Sequence, residues 1–467
     1  MTRLFGTDGV RGIVGKDMTH EVAMRLGLAL GTHLRLGSTV AVGRDARLSG
    51  PMLASAVVAG LLATGVNVVR LGIATTPAIQ FHAAQHEEID AAVIVTASHN
   101  PGQWNGLKFI AGDGTEASRE DEERVEKLYD SQKFRLASWK DVGRLSHTDA
   151  CNDAYVKAVT AKFKVAAAKR RKLRVVVDPA GGPGTLVTPR FLQSIGCEAI
   201  LLHGELDGTF AGRSPEPTED NLGKLKARVK ETKADLGIAH DGDADRAIFV
   251  DETGAFVPGD QSFALIAEHL VKKNKGGVVC TPVSTGSVVE EVVTRAGGTI
   301  VYTAVGSPIV GRRMRKERAV FGGEENGGLI FPDHQYCRDA LMSVAVMLEL
   351  LFTTGKRLGE LRAALPKFHV SKQKFECANE AKAHLARALR DWTKSKYPTA
   401  KIDETDGFKV YFDDGWVLAR ASGTEPIYRV YAESRSEARS AALAKEFVEQ
   451  SKALLKSQDL KPRAAVP

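Results

Sequence analysis

Cysteine is scarce in this chain of 467 residues, and its five copies are widely spread along the sequence. None of them belongs to a CxxC pair, and an odd number of cysteines is unlike a disulfide scaffold. We therefore expect buried, reduced thiols at Cys151, Cys197, Cys280, Cys337 and Cys377.

Long apolar runs are missing as well. The best candidate, residues 341–352, is short and carries Glu349, whereas a membrane-spanning helix needs about 20 apolar residues. This segment predicts a core helix instead. The first residues, MTRLFGTDGVRG, lack the apolar core of a secretory signal. We expect a soluble, cytoplasmic protein with no membrane partner.

Aromatic residues make up only 6% of the chain, and the net charge of +7 is a small, mostly scattered basic excess. One basic run, residues 169–172, has no interleaved aromatic residues on which bases could stack. It predicts a solvated helix end, and we expect no nucleic-acid partner. A mildly basic balance suits an enzyme for anionic metabolites.

Apolar strand patterns and helical patterns alternate over most of the chain. Strands are predicted at residues 40–43, 66–71 and 91–95, then at 175–178, 199–202 and 236–239, then at 278–280, 299–303 and 319–321. Such alternation is typical of parallel strands with crossover helices. The last part differs, because two strand patterns flank the hairpin turn 413–415, and Ser436 can cap a long helix after a third strand.

These patterns predict an α/β protein, and the length suits three or four domains. We expect three similar mixed α/β domains at residues 1–150, 151–255 and 256–370. A smaller α+β domain would follow at residues 371–467.

The hexapeptide TASHNP, residues 96–101, follows the apolar strand pattern at 91–95. Ser98 would therefore lie at the carboxyl end of a buried parallel strand, where open α/β sheets bind their ligands. A serine hydroxyl there can be a covalent nucleophile. Because Ser, Asn and Pro also form turns, this motif alone slightly favours a simple turn.

The sequence DGDADR, residues 241–246, follows the strand pattern at 236–239. Asp241, Asp243 and Asp245 repel one another unless a cation neutralises them, and carboxylate oxygens suit Mg²⁺ or Ca²⁺. An EF-hand loop is rejected, because Arg246 stands where that loop requires glycine. We predict a metal site, with Arg246 placed to contact an oxyanion that completes the coordination.

The heptapeptide RASGTEP, residues 420–426, lies between two strand patterns of the last domain. Gly423 lets backbone N–H groups approach an oxyanion, Ser422 and Thr424 add hydroxyl donors, and Arg420 adds a forked guanidinium. The segment also fits a helix capping box of the form S-x-x-E. The proline and the strand pattern that follow argue against a helix, so we predict a phosphate-binding loop.

Three further features are weaker on their own. Glu324 and Asn326 of GGEENGG could hydrogen-bond vicinal hydroxyl groups, although a flexible turn fits this segment equally well. Arg11 lies in the glycine-rich segment FGTDGVRG, and Lys108 follows Ser98 closely enough to contact a phosphate or donate a proton.

In this order the motifs resemble those of the α-D-phosphohexomutase superfamily, which includes phosphoglucosamine mutase, phosphomannomutase and phosphoglucomutase. The resemblance covers essentially the whole chain, and GGEENGG and RASGTEP are similar to the loops of archaeal-type members. It implies four domains around one central cleft and a hexose phosphate as substrate. It also implies one Mg²⁺ per active site, a hexose 1,6-bisphosphate as intermediate or activator, and a monomer or a homodimer.

The resemblance assigns roles to single residues as well. Ser98 matches the phosphorylated serine, which shares the metal with the three aspartates. The other matched positions are Glu324 and Asn326 for sugar hydroxyls, Arg420, Ser422, Gly423 and Thr424 for the phosphate that is not transferred, and Arg11, His99, Lys108 and Arg246 near the reacting phosphate. Lys108 is the expected carrier of the proton at the sugar hydroxyl.

Two positions depart from the sugar loop of the family, which often reads GEMSGH or GEQSGH. Asn326 replaces its serine and Gly328 replaces its histidine. Any role of that histidine therefore cannot be carried over. His334, six residues further on, is a candidate replacement.

The predicted activity is the interconversion of hexose 1-phosphate and hexose 6-phosphate. Glucosamine phosphate is the expected substrate, with mannose or glucose phosphate as alternatives. A Mg²⁺-dependent phosphatase with the same phosphoserine is the second class, but a hydrolase has no need to grip a second phosphate. A catalytically silent sugar-phosphate binder would have little reason to keep both Ser98 and the aspartates.

Overall fold

The structure is a computed structural model, and it describes residues 4–6, 9–166, 171–422 and 426–459. For residues 457–459 only the backbone is described. Four sheets follow one another along the chain, and helices pack on them. Half of the basic run at 169–172 and the loop residues Gly423 and Thr424 lie outside the described residues.

The first sheet has six strands: β1 (Val10–Ile13), β2 (Thr39–Arg44), β3 (Asn67–Ile73), β4 (Ala91–Val95), β5 (Trp104–Ala111) and β6 (Leu145–His147). Their spatial order is β1-β5-β4-β2-β3-β6. β2 is parallel to β3 and β4, whereas β5 is antiparallel to β4. The connection from β4 to β5 is too short for a crossover, which needs about a dozen residues. The sheet is therefore mixed: it contains the predicted parallel strands, and the antiparallel return of β5 was not predicted.

The helices of this first unit are α1 (His20–His33), α2 (Gly50–Ala63), α3 (Thr76–Gln85) and α4 (Arg119–Ser131). The Thr19 side chain accepts a hydrogen bond from the Val22 N–H and so caps α1. Pro51 stands in the first turn of α2, where its missing N–H costs no hydrogen bond. Gly65 follows that helix with φ +78°, a conformation that glycine adopts without steric cost.

The second sheet has the order β11-β10-β9-β7-β8. Its strands are β7 (Arg174–Asp178), β8 (Glu198–Leu201), β9 (Leu236–His240), β10 (Ala247–Asp251) and β11 (Phe256–Val257). The helices are α5 (Cys151–Lys162), α6 (Thr188–Ser194) and α7 (Gly223–Thr232). β7 is parallel to β8 and β9, and β10 returns antiparallel to β9.

The third sheet has the order β13-β12-β14-β15-β16. Its strands are β12 (Gly277–Pro282), β13 (Gly298–Thr303), β14 (Phe321–Gly323), β15 (Leu329–Phe331) and β16 (Gln335–Arg338). The helices are α8 (Gly259–Lys273), α9 (Ser287–Arg295), α10 (Ser307–Glu317), α11 (Ala340–Thr354) and α12 (Leu358–Ala363). α11 is buried from Ala340 to Phe352, so residues 341–352 form a core helix as predicted. The strand predicted at 319–321 begins at Phe321.

The fourth sheet is wholly antiparallel, with the order β17-β21-β20-β19-β18. Its strands are β17 (His369–Glu376), β18 (Lys401–Asp403), β19 (Phe408–Phe412), β20 (Gly415–Ala421) and β21 (Ile427–Ser434). The helices α13 (Asn379–Lys396) and α14 (Glu437–Asp459) complete this unit. Asp413 and Asp414 form the predicted turn between β19 and β20.

One apolar core cluster runs through the first three units and includes residues of α3, α5, α8 and α11. The five cysteines are buried and free, as expected. Among the described residues, the structure contains no helix with the length and apolar character that a membrane crossing requires. The predicted α/β class, with a different C-terminal unit, is confirmed.

Candidate active site

Ser98 lies in the loop that follows β4, at the end of a buried parallel strand. Its side chain is buried, and its hydroxyl donates a hydrogen bond to Oδ2 of Asp241 at 2.7 Å. The backbone φ of Ser98 is +47°, in the left-handed region that residues other than glycine seldom adopt. Such a conformation persists only when the surrounding structure fixes it.

Arg47 provides that fixation. It is fully buried just after β2, and its Nε donates to Asp45 at 3.0 Å. Its guanidinium donates, at 2.6–2.9 Å, to four carbonyl oxygens of the serine loop, those of Ser98, Asn100, Pro101 and Trp104. Asp45 also accepts the Thr96 hydroxyl at 2.7 Å. Asp45 and Arg47 were not predicted, although their place at the end of a parallel strand was a signal that could have found them.

Asp241, Asp243 and Asp245 lie in the turn between β9 and β10, and all three are buried. One carboxylate oxygen from each aspartate lies within 4.8 Å of a carboxylate oxygen of each of the other two. Within the part of the chain that the structure describes, Oδ1 of Asp243 and Oδ1 of Asp245 are buried without a hydrogen-bond partner. Buried carboxylate oxygens without partners are costly. This donor set therefore fits a hard divalent cation.

Asp241 and Asp243 differ in their proton affinity. Burial, and after it the charges of Asp245 and Asp243, raises the pKa of Asp241 well above its usual range. Burial alone would raise the pKa of Asp243 too, but the charge of Lys108 and other neighbours lowers it. A divalent cation would therefore compete with a proton at Asp241 more than at Asp243.

Two predicted cationic residues surround the aspartates. Lys108, on β5, places its Nζ 3.2 Å from Asp243 Oδ2 and 3.4 Å from Asp245 Oδ2. Arg246 places its Nε 3.8 Å from Asp245 Oδ1, and its outer nitrogen pairs with Glu216 at 3.1 Å. Positive charge thus lies beside the carboxylates, where a phosphoryl group with its oxygens would also be attracted.

His99 and Arg11 complete the surroundings of Ser98. The His99 Nδ1 is 3.5 Å from the Ser98 hydroxyl. Burial, and after it the charges of Arg246 and Arg11, lowers the pKa of His99 to about 2, so its ring is neutral near pH 7. Arg11 donates to the Ala97 carbonyl at 3.3 Å and thereby contacts the serine loop.

Glu324 and Asn326 follow β14 in the predicted sugar loop. Glu324 is buried, and its Oε1 accepts the Gly306 N–H at 3.1 Å. Burial raises the pKa of Glu324, although the charge of Arg338 opposes this. Asn326 Oδ1 accepts the Gly328 N–H at 3.0 Å, which closes the loop on itself.

His334 does not replace the missing histidine at position 328. Its ring stacks on Phe81, with 5.0 Å between the ring centroids, and lies 5.9 Å from the ring of Tyr155. Its Nε2 faces Asp339 at 3.6 Å. The sequence interpretation was wrong here, because an apolar and aromatic contact between units holds this side chain.

The predicted phosphate loop begins at the end of β20. Arg420 pairs with Asp406 at 3.0 Å, and the same Asp406 oxygen accepts the Val305 N–H at 3.0 Å. Ser422 is buried, and its carbonyl oxygen accepts from Lys382 at 2.7 Å. Asp406 was missed by the sequence interpretation, because nothing in its local pattern points to a contact with another sheet.

The four loops are joined by polar contacts. Ser98 contacts Asp241, the Arg338 guanidinium lies between the aspartate loop and the sugar loop, and residues 305–306 link the sugar loop to the phosphate loop. The structure thus brings together Ser98, Arg11, His99, Lys108, Arg246 and the aspartates. Glu324 and Arg420 are connected to this group through intermediate residues.

The chain matches models of known protein families along most of its length. Four family models match in order: the phosphoglucomutase/phosphomannomutase α/β/α domains I, II and III at residues 2–136, 153–254 and 258–368, and the C-terminal domain at 373–450. The chain belongs to the phosphoglucomutase/phosphomannomutase family. The predicted superfamily and its enzyme class, the phosphohexomutases among the isomerases, are therefore confirmed.

Relatives in this family match along nearly their full length. A phosphoglucomutase/phosphomannomutase of Thermococcus kodakarensis is 42% identical over 96% of this chain and 97% of its own. A probable phosphoglucosamine mutase of Methanopyrus kandleri is also 42% identical, over 96% and 98% of the two chains. A solved phosphoglucomutase/phosphomannomutase family protein of Burkholderia thailandensis has a TM-score of 0.87 at 29% identity, covering 100% of this chain and 99% of that one.

Proposed function

We propose that this chain interconverts hexose 1-phosphate and hexose 6-phosphate through a phosphorylated Ser98, with glucosamine phosphate as the preferred substrate. One observation carries the proposal. The buried Ser98 hydroxyl of the first unit is hydrogen-bonded to Asp241 of the three-aspartate group in the second unit. Membership of the phosphoglucomutase/phosphomannomutase family supports the same chemistry.

The phosphoryl transfer needs few covalent changes. The bond between phosphorus and Ser98 Oγ breaks and this oxygen gains a proton, while a bond from the sugar hydroxyl oxygen to phosphorus forms and that oxygen loses one. Lys108 is the proposed proton carrier: its ammonium donates a proton to the sugar oxygen when the bond from that oxygen to phosphorus breaks, and the amine so formed takes a proton from the hydroxyl in the opposite direction. Arg246 and Arg11 offset charge on the phosphoryl oxygens, which is most of what such a transfer requires.

Mg²⁺ is the proposed metal, because the partnerless carboxylate oxygens form a set of hard ligands. Ser98, Asp241, Asp243 and Asp245 would hold it. When bound, the ion offsets negative charge on the transferring phosphoryl group. Titration of the apo protein with Mg²⁺ in a calorimeter tests this assignment, and an absence of binding would contradict it.

The second phosphate of the substrate would be held by the loop from Arg420 to Thr424. The Arg420 guanidinium can donate two parallel hydrogen bonds to the phosphate, and the Ser422 hydroxyl can donate a third. Gly423 and Thr424 remain predicted members of this phosphate-binding loop. After the first transfer the bisphosphate turns over, so this loop must hold either phosphate in turn. A closed site is required throughout, because entering water would hydrolyse the phosphoserine.

Replacing Ser98 with alanine tests the covalent step. S98A should lose nearly all turnover of hexose phosphate, while calorimetric binding of the monophosphate persists. The exposed Ser194 offers a matched control, and S194A should keep wild-type rates. Full activity of S98A would contradict the proposal. Release of free phosphate in step with substrate loss would identify the phosphatase instead.

The sugar is tested separately. The Methanopyrus kandleri relative is named for glucosamine phosphate and the Thermococcus kodakarensis relative for glucose and mannose phosphates. We expect the highest kcat/KM with glucosamine phosphate when initial rates on the three sugars are measured side by side. A higher value for glucose or mannose phosphate would reject this preference and leave the phosphoserine mechanism intact.

A further inference from the structure

Gly328 stands where similar sugar loops carry histidine, and the space beside its Cα is occupied by Arg338. A Cβ atom at position 328 would lie 2.4 Å from Cδ and 3.0 Å from Cγ of Arg338. The Arg338 side chain is buried. A side chain at position 328 and the observed Arg338 therefore exclude each other.

The backbone of Arg338 is fixed on both sides. The residue ends β16 and pairs with Ile330 of β15. The N–H of the next residue, Asp339, donates to the Leu329 carbonyl at 2.8 Å, and the Asp339 side chain caps α11. The side chain of Arg338 is thus directed across Gly328 by regular secondary structure.

The guanidinium of Arg338 joins two loops. One outer nitrogen lies 2.7 Å from Oδ2 of Asp245 in the aspartate loop, and the other lies 3.7 Å from Oε2 of Glu324 in the sugar loop. The guanidinium is planar and always charged, so it can hold two carboxylates in a fixed relation but cannot exchange a proton near neutral pH. It thus differs from a histidine in the same place.

We propose that Arg338 is the positioning residue that takes the place of the sugar-loop histidine in this chain. It ties Glu324 to the aspartate loop, and Gly328 provides the room for it. The inference rests on the proposed function, since Glu324 is assigned to the sugar there. Arg338 acts through Glu324 and not by proton transfer.

A purely structural role makes a different prediction. If Arg338 only supported Asp245 as a metal ligand, its loss would weaken Mg²⁺ binding. The positioning role predicts that Mg²⁺ binding does not weaken, because a cation 2.7 Å from a ligand carboxylate competes with the metal. Sugar binding weakens instead, because Glu324 loses the cation that ties it to the aspartate loop.

The experiment measures both affinities without turnover. In the S98A background, R338M should raise the Kd of glucosamine 6-phosphate by about tenfold and leave the Kd of Mg²⁺ equal or lower, both by calorimetry. With Ser98 present, R338M should lower kcat by about 100-fold, as expected for a displaced contact. The exposed Arg295 is the matched control, and R295M should change none of these values.

Substitution of Gly328 provides a second, independent test of this role. G328H should reproduce the loss of sugar affinity, because the new side chain displaces Arg338. The double variant G328H/R338G should recover part of that loss. Wild-type sugar binding in R338M or in G328H, or an R338M defect that excess Mg²⁺ cures, would overturn the inference. Absence of mutase turnover in the wild-type enzyme would instead count against the proposed function. The Kd values of glucosamine 6-phosphate and Mg²⁺ would still decide the role of Arg338.

Discussion

Arg47 holds the Ser98 loop through bonds to four of its carbonyl oxygens. Arginine can do this because it carries five N–H donors in a rigid, planar arrangement. The left-handed backbone of Ser98 is the conformation that these bonds fix. The hydroxyl is thus directed at Asp241 by protein contacts alone.

The first residue-level prediction concerns this support. R47M leaves Asp45 buried without the opposite charge of Arg47, and removal of one member of a buried ion pair costs about 3–5 kcal/mol. We expect a clear fall in the urea midpoint of unfolding and a lower kcat. The half-buried Arg25, paired with Glu21 at the surface of α1, is the control, since loss of such a surface pair costs about 0–1 kcal/mol. Equal stability of R47M and R25M would contradict the proposed support.

A second residue-level prediction concerns Lys108. General acid–base catalysis contributes about 100- to 10,000-fold, so K108M should lower kcat by an amount in this range. The Kd of the sugar phosphate should change much less. K157M, at an exposed lysine of α5, should behave as wild type. A K108M enzyme that keeps its kcat would remove Lys108 from the proton transfer.

At the scale of elements, the strand ends were the most informative part of the sequence. β4, β9 and β14 are each parallel to a neighbour, and the predicted motifs with Ser98, Asp241 and Glu324 begin directly after them or close by. Carboxyl ends of parallel strands meet at one edge of a sheet, so local periodicity was enough to place these loops.

The same local pattern could not place everything. The antiparallel return of β5 depends on a short connection, and Arg47 and Arg338 contact Ser98 and Asp245 in loops that are distant from them in sequence. Periodicity records which face of an element is buried, not which charged side chain of another unit will meet it. The domain boundaries near 150, 255 and 370 and the roles of the site residues stay predictions.

An element-level prediction follows from the close approach of two loops. A Cβ atom at Gly242 would lie 2.4 Å from the carbonyl oxygen of Ser98. G242A should therefore separate the serine and aspartate loops and lower kcat by about 100-fold. Gly223, at the start of α7, has open space beside it, and G223A should keep the activity. Circular dichroism checks that both variants fold, and an active G242A would contradict the required contact.

At the scale of the whole molecule, the third and fourth sheets meet through buried ionisable groups. Lys409 donates to the Val283 carbonyl at 2.8 Å and lies 3.9 Å from the centre of the Trp416 ring. Burial lowers the pKa of Lys409 to about 8. The Trp416 N–H in turn donates to Glu433 at 2.8 Å. The unit that carries Arg420 therefore contacts the third unit through a junction that contains the buried ionisable residues Lys409 and Glu433.

Asp260 gives this junction a pH dependence. Burial, and after it the charge of Glu325, raises the pKa of Asp260 to about 7. The charge of Glu433 also raises this pKa, whereas the charge of Lys372 lowers it. The folded state keeps a proton that the unfolded chain releases near its ordinary pKa of 3.8. The contribution of Asp260 to stability is therefore favourable at low pH and is lost as the pH rises towards 7.

The corresponding prediction is that D260N raises the melting temperature more at pH 8 than at pH 5. The amide cannot ionise, so it avoids repulsion with Glu325 and Glu433 at high pH. Melting curves of wild type and D260N across this range test the sign. The exposed Asp391 on α13 is the control, and D391N should shift neither value. A stabilisation confined to pH 5 would contradict the assignment.

The exclusion between Gly328 and the Arg338 side chain has an evolutionary consequence. In related chains the two positions should covary: a histidine at the position of Gly328 should be accompanied by a small residue at that of Arg338, and an arginine at the second by glycine at the first. A lineage can pass between the two states only through an intermediate that lacks both cationic side chains or crowds them together. We therefore expect two types of sugar loop in the family, which a single substitution does not interconvert.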